Sequence, residues 1–376
     1  MKVYEAISDS NIGGAGILLV TRLKHSNRKE FQTTVLLPKN SELKSRLREI
    51  SIPTIEIDGG ADRSFALQTI ASYCAIFRRD RPQLVNCHGC FSARIAAKIC
   101  RIPCVYTRHC AYPPKKWQTM CLGKAMIGAI QSFFCDTVIA VADAAKQNLL
   151  DMGVPEKKIH VIINGVDGLR KIDERERESL RSDLNFPSYA IVIGICARLE
   201  PCKGHFDLLK AAELLLQCAD RYRFLIVGSG SMEKELKMFC QSHHLNYAVR
   251  FVGFQKDVAP YVNLFDILAN CSVGTETSSL AISEAMSLGI PAVVSDYGGN
   301  PHMVKNETNG LLYPTHNYTA LAEQIHRIAN DFELYQKLSV GARERFLSEF
   351  QATHMVKQTE ALYRSVIRRD GSTRKA

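Results

Sequence analysis

A chain of 376 residues is long enough for two domains, and 46% hydrophobic with 23% charged residues is the ordinary make-up of a globular protein. The net charge of +10 sits wholly in residues 1–165, which carry 23 Lys and Arg against 13 Asp and Glu, while the other 211 residues carry 25 of each. A one-sided basic surface suits phosphates, nucleic acid or an anionic membrane, and thirteen cysteines in so long a chain argue against a disulfide-built secreted scaffold.

The chain opens on Lys2-Val-Tyr-Glu-Ala-Ile-Ser, a strand pattern with no secretory signal ahead of it, so a reducing, cytoplasmic protein is expected. Short apolar runs predict strands at 3–7, 33–37, 54–57, 84–87, 105–107, 137–141 and 160–163, with helices such as 65–77 and 92–100 between them. Asn11-Ile-Gly-Gly-Ala-Gly16 follows the first strand. Its glycines allow a tight turn and close approach of a ligand, but the third glycine of a dinucleotide fingerprint would fall at Leu19. The same glycines equally fit a plain strand–helix turn. Cys87-His-Gly-Cys90, with Cys100 and Cys104, has poor zinc spacing and no thioredoxin-like context, so these cysteines are expected to be small reduced core side chains. The apolar stretch 125–145 is broken by Gln131, Asp136 and Asp143 and is a poor candidate to span a bilayer.

A polar segment, 168–188, dense in charges, divides this first series from a second one. That series predicts strands at 190–196, 223–227, 249–252, 267–269, 291–295 and 310–313, again alternating with helices. Continuous apolar strands alternating with helices argue for parallel sheets covered on both faces. The division is placed at 167/168, giving domains 1–167 and 168–350, then a helical segment 351–376 that is expected to pack back on the first domain, its last six residues disordered. Ligands in such sheets bind beyond the carboxyl ends of the strands. Arg198 and Lys203, five residues apart after the first strand of the second series, suit a diphosphate or form a solvated pair. Gly228-Ser-Gly230 follows the next strand, but Glu233 replaces the third glycine of a nicotinamide site, and no phosphate-loop motif is present.

Glu276 and Glu284 stand eight residues apart around a helix that is expected to start at Ser278 or Ser279. Glu284 shares an apolar stripe with Leu280 and Leu288. Either it favours the positive end of its own helix, or it meets a partner there.

Taken in order, these motifs resemble family-4 glycosyltransferases of the GT-B fold. The matches are the Gly13-Gly14 loop, Asn164-Gly-Val-Asp167, Arg198-Leu with Lys203-Gly204, Gly228 with Gly230, Glu276 with Glu284, and Asp296-Tyr-Gly-Gly299, spread over residues 3–365. The resemblance implies an α/β architecture of two doubly wound Rossmann-like domains facing each other across a cleft. It implies a retaining enzyme that needs neither cofactor nor metal and takes its sugar from a nucleotide sugar, a UDP-sugar before a GDP-sugar. Arg198 and Lys203 would neutralise the diphosphate, with backbone N–H groups at Ser279 and Leu280 assisting. Glu284 would hold the ribose, Glu276 would lie beside the donor sugar, and Phe254 would border the base. His109 looks like the family histidine near the donor sugar, while Gly13, Gly14 and His88 would lie on the acceptor side.

The acceptor so implied is a glycan or a polyprenyl-linked sugar, taken by the basic first domain at the inner face of the cell membrane. Arg78-Arg-Asp-Arg81 and Pro114-Lys-Lys-Trp117 would meet anionic headgroups, and nothing beyond charge points to nucleic acid. Two departures stand out. Thr277-Ser-Ser279 replaces the common Gly-Phe-Gly, and His302 replaces a common glutamate, so the donor sugar stays open. The competing functions are a sugar-nucleotide epimerase and a nucleotide-sugar-binding module without turnover.

Overall fold

The computed structural model describes residues 1–8, 13–58, 66–110 and 120–373. The chain divides into two compact units, Met1–Gly165 with Ala352–Ala376 and Val166–Gln351. Every strand read from the apolar runs forms. In the first unit these are β1 (Lys2–Ile7), β2 (Gln32–Pro38), β3 (Thr54–Ile57), β4 (Leu84–His88), β5 (Cys104–Arg108), β6 (Thr137–Ala140) and β7 (Ile159–Val161). In the second they are β8 (Ile191–Cys196), β9 (Tyr222–Val227), β10 (Val249–Phe251), β11 (Ile267–Asn270), β12 (Ala292–Ser295) and β13 (Gly310–Tyr313). All pairings within both sheets are parallel. This is why the strands were legible: helices cover both faces, so nearly every strand residue is apolar and buried.

The two sheets share one topology. The first runs β3-β2-β1-β4-β5-β6-β7 and the second β10-β9-β8-β11-β12-β13. In each, the strand order reverses between the first strand and the fourth. That reversal opens a crevice at the carboxyl ends of β1 and β4 in one unit and of β8 and β11 in the other. In the first unit the register sets Glu5 beside Asn86 and Ile7 beside His88.

Several connecting segments differ from the expectation. The charged stretch 168–188 contains a helix, Glu174–Asp183, because Asp173 caps it, accepting the Glu176 N–H at 2.8 Å. The apolar stretch 125–145 is divided among the helix Cys121–Phe133, β6 and the start of the helix Asp143–Asp151; among the described residues no helix is long and apolar enough to cross a membrane. The chain ends on the helix Ala352–Thr373, which lies in the first unit, with the Arg364 guanidinium on Glu30 and the Tyr363 ring edge-on to Phe31. Residues 371–373 continue that helix instead of being disordered, and 374–376 lie outside the described residues. Cys87, Cys90 and Cys104 are unoxidised core side chains.

Candidate functional site

In the second unit the site begins where β8 ends. Arg198 follows it, exposed and without an ion pair among the described residues. The chain then makes a short turn, Pro201–Lys203, and Gly204, at φ +66°, starts the helix His205–Cys218. A side chain at Gly204 would meet the Cys271 carbonyl, so glycine is what lets this turn lie against the loop after β11. The Val273 N–H bonds the Cys202 carbonyl at 2.9 Å, locking the two loops together. Across that seam Lys203 Nζ reaches Glu276 Oε2 at 2.6 Å, and the Ser272 hydroxyl donates to the same oxygen at 2.6 Å. The Glu276 carboxylate is buried, so its charge is met by a cation and a hydroxyl instead of water.

The Glu276 loop is fixed from its other side as well. Gly299 donates its N–H to the Glu276 carbonyl at 3.2 Å, and a Cβ at Gly299 would collide with the Thr277 carbonyl. The Asp296–Gly299 motif therefore has a packing reason. So do Gly228 and Gly230: side chains there would strike the carbonyls of Ala197 and Leu199, which flank Arg198. These two glycines hold the Arg198 segment in place through backbone contact.

Ser279 is the N-cap of the helix Leu280–Ser287, but its side chain does not cap it; the Ser279 hydroxyl accepts from Asn270 Nδ2 at 3.1 Å. Leu280 is the first helical residue, so the unpaired N–H groups of the first turn begin there. Glu284 is the fifth helical residue, past the turn where the helix dipole acts, which removes the simple dipole explanation. Its half-buried carboxylate has no hydrogen-bond or ion-pair partner among the described residues. Burial pushes its pKa from 4.5 to about 7, and the Cys196 thiol at the end of β8 is raised to about 12 by its own burial and then by the Glu284 charge. Phe254, after β10, is exposed. His302 lies 3.9 Å from Glu349.

The first unit holds a separate cluster. Gly13 caps the helix Gly14–His25 in an extended conformation, and a Cβ at Gly14 would meet nothing among the described residues. Asn11 and Ile12 lie outside the described residues. His88, at the end of β4, and His109, after β5, are brought together, Nδ1 of the first 2.8 Å from Nε2 of the second. His88 Nε2 lies 2.8 Å from Glu5 on β1, a fully buried carboxylate that also receives Arg22 at 2.5 Å and the Tyr363 hydroxyl at 3.0 Å. Burial pushes the Glu5 pKa up, but Arg22, His88 and Tyr363 outweigh it and hold the carboxyl below its usual range. Burial, then the His88 and Arg22 charges, keep His109 well below the usual imidazole value.

Sequence reasoning missed Glu5, Arg22, Asn86, Tyr363, Ser272 and Asn270. Glu5 had a local signal: a carboxylate alone inside an apolar strand must find partners. Among the described residues no group of three or more His, Cys, Asp or Glu is placed to hold a metal ion.

Residues 12–168 match the family model described as Glycosyltransferase Family 4, and residues 176–345 match that described as Glycosyl transferases group 1. The chain is 25% identical over 312 residues to the UDP-Gal:alpha-D-GlcNAc-diphosphoundecaprenol alpha-1,3-galactosyltransferase of Escherichia coli, covering 79% of each. It is 25% identical over 235 residues to the N-acetyl-alpha-D-glucosaminyl L-malate synthase of Bacillus anthracis, covering 62% of this chain and 61% of that protein. The Anabaena protein HepE, solved in complex with UDP, has the same fold: the TM-score is 0.85 at 24% identity, over 97% of this chain and 100% of that one.

The isolated Glu284 carboxylate has a measurable consequence. With its pKa raised from 4.5 to about 7, the folded state binds this proton more tightly than the unfolded chain, so Glu284 costs stability increasingly between these values and fully above about pH 7. Glu284→Gln is expected to raise the melting temperature at pH 8 and to leave it nearly unchanged at pH 4, measured by calorimetry. An equal shift at both pH values would show that the carboxylate is not strained.

Proposed function

Because the chain belongs to glycosyltransferase family 4, with a group 1 glycosyltransferase as its second half, we propose that it moves a sugar from a UDP-sugar to a glycan or polyprenyl-diphosphate-linked acceptor, retaining the anomeric configuration. The observation that carries this reading is the placement of Arg198 and Lys203 at the carboxyl end of β8, beside the switch point. The leaving group of such a reaction is a nucleoside diphosphate, whose negative charge grows as the bond to the sugar breaks. Fixed cations aimed at that charge stabilise the transition state more than the ground state. Arg198 supplies a forked donor and Lys203 a point charge, with the Leu280 helix terminus adding N–H groups. These groups take the role that a metal ion plays in other diphosphate sites.

Glu276 is held rigidly by Lys203 and Ser272 and suits contact with hydroxyls of the donor sugar. Glu284 has accepting capacity to spare and suits the two ribose hydroxyls, while exposed Phe254 offers a ring face to the base. UDP is favoured over GDP because the Escherichia coli relative is a UDP-galactose enzyme and HepE was solved with UDP.

A polyprenyl-linked acceptor would bring the enzyme to the inner face of the cell membrane. The surface that suits this is the helix Cys121–Phe133, where Leu122 (88% exposed), Met126, Ile130 and Phe133 (58% exposed) recur at helical spacing on one face. Lys98 lies over the Phe133 ring at 4.6 Å, next to the stripe. An apolar stripe flanked by lysine, on the half that carries the whole excess charge, is complementary to an anionic bilayer. Of the expected headgroup contacts, Arg79 is paired with Asp80 at 2.8 Å, Arg78 and Arg81 are exposed, and Lys115–Trp117 lie outside the described residues.

Three outcomes test these statements. A thermal-shift panel is expected to show stabilisation by UDP and UDP-sugars, growing with concentration; no shift with any nucleotide would sink the reading. Lys203→Ala, confirmed to be folded, is expected to lower turnover by about a hundredfold, the size of one lost transition-state contact; unchanged turnover would remove Lys203 from the site. Co-sedimentation with phosphatidylglycerol vesicles at low salt is expected for the parent and not for Leu122→Glu/Met126→Glu; equal sedimentation would exclude the helical stripe.

A further inference from the structure

Thr277-Ser-Ser279 stands in place of the common Gly-Phe-Gly, so at 279 this chain has a side chain where a glycine would leave bare backbone. Ser279 is 9% exposed, and its hydrogen bonds can be assigned without choosing any protonation state. The Ser272 backbone N–H donates to Asn270 Oδ1 at 3.1 Å. A backbone N–H can only donate, so this contact fixes which end of the Asn270 amide is oxygen. A second contact agrees with it, since Asn300 Nδ2 reaches the same oxygen at 3.3 Å. Asn300 is oriented in turn by Ser295, whose hydroxyl donates to the Ser272 carbonyl at 2.6 Å and so accepts from Asn300 Nδ2 at 3.1 Å. Asn270 Nδ2 must then donate, and its acceptor is the Ser279 hydroxyl oxygen at 3.1 Å.

One hydrogen of Ser279 is left. Its backbone N–H, expected to assist a diphosphate, goes instead to Met303 Sδ at 3.1 Å, and its carbonyl accepts the Ser283 N–H at 3.4 Å. With the hydroxyl oxygen accepting from Asn270, the hydroxyl hydrogen has no acceptor among the described residues. The Ser278 hydroxyl, one residue earlier, is buried and has no partner there either.

The charges nearby select what can take this hydrogen. Lys203 is tied to the same network, its Nζ 3.5 Å from the Ser272 hydroxyl, and Arg198 has no ion pair among the described residues. The Glu276 charge is met by Lys203. No side chain caps the helix Leu280–Ser287, so the positive end of that helix is open. A hydrogen without an acceptor, at a positive helix end and on a network that holds a lysine, suits an anionic oxygen.

We propose that Ser279 is a further binding residue of the donor site: its hydroxyl oxygen is committed to Asn270, and its hydroxyl hydrogen is donated to a diphosphate oxygen of the nucleotide. The chain thereby holds the leaving group with a side-chain donor that a glycine at this position lacks. This inference rests on the glycosyltransferase reading for the identity of the anion.

The test is binding of UDP, uridine and inorganic pyrophosphate to the full chain and its variants, by calorimetry and ligand-observed NMR. Ser279→Ala is expected to weaken UDP and pyrophosphate about tenfold, the size of one lost bond to a charged group, and to leave uridine within about twofold. Ser279→Thr keeps the hydroxyl and is expected to restore the UDP affinity. An equal loss for UDP and uridine in Ser279→Ala marks a change of shape and overturns the proposal, as does a Ser279→Thr variant that binds UDP no better than Ser279→Ala. Should Ser279→Ala fail to fold, Ser279→Cys, close in size and a weak donor, gives the same selective loss. Pyrophosphate separates this inference from the function proposed above. A pyrophosphate site that depends on Ser279, in a chain that binds no UDP, supports the hydroxyl contact and counts against the nucleotide-sugar reading. UDP bound equally well by Ser279→Ala overturns the inference and leaves that reading standing, and binding of neither anion overturns both.

Discussion

The constraint on which both units depend is that a carboxylate taken out of water must be given its partners by the fold. Each unit buries one at its switch point: Glu5 on β1 with Arg22, and Glu276 after β11 with Lys203. An unpartnered charge at either place would cost several kcal/mol, and removing one member of a buried pair is worse than never having had it. Such pairs add little net stability over apolar residues of the same size. Their effect is geometric, since a carboxylate with its lone pairs filled has one orientation, and whatever it holds is oriented too. Glu5 passes that order to His88 and then to His109. Glu276 passes it to Lys203.

What gathers these charges is backbone packing. Parallel strands in the order three, two, one, four leave the loops after the first and fourth strands side by side, and in the second unit the loops touch carbonyl to Cα. Gly204 lies against the Cys271 carbonyl, and Gly299, after the fifth strand, against that of Thr277, contacts with no room for a Cβ. The glycines of these motifs act one step removed from a ligand. They fix the loops whose neighbouring side chains, Arg198, Lys203 and Glu276, carry the charge.

The same distinction explains what was legible in the sequence. Strands buried on both faces announce themselves as apolar runs, so all thirteen were found, with ends displaced by at most two residues. Lys203 and Glu276 were found as separate motifs, but their ion pair was not, since nothing in either segment says that two loops 73 residues apart meet. Ser279 was placed correctly at a helix start, yet its hydroxyl faces Asn270, because a buried asparagine on the neighbouring strand competes with the cap. The Glu5 cluster was hidden for a simpler reason. Its members come from β1, the first helix, β4, the residues after β5 and the terminal helix, and the Tyr363–Glu5 bond spans 358 residues. A sequence window can show that Glu5 needs partners; only the sheet order shows which.

Glu276 and Glu284 end as opposites although they belong to one motif. Glu276 receives Lys203 and Ser272 on one oxygen, which fixes its pose in advance of any ligand. Glu284 is left half-buried without a donor, its proton held to about pH 7 by burial alone. Above about pH 7 the ionised Glu284 costs stability that an uncharged side chain would not. The unsatisfied carboxylate is tolerable if the missing donors arrive with a ligand bearing paired hydroxyls, and His109 Nδ1 in the first unit is likewise buried without a partner among the described residues. A buried polar group that the fold leaves without a partner needs a reason outside the fold's own stability.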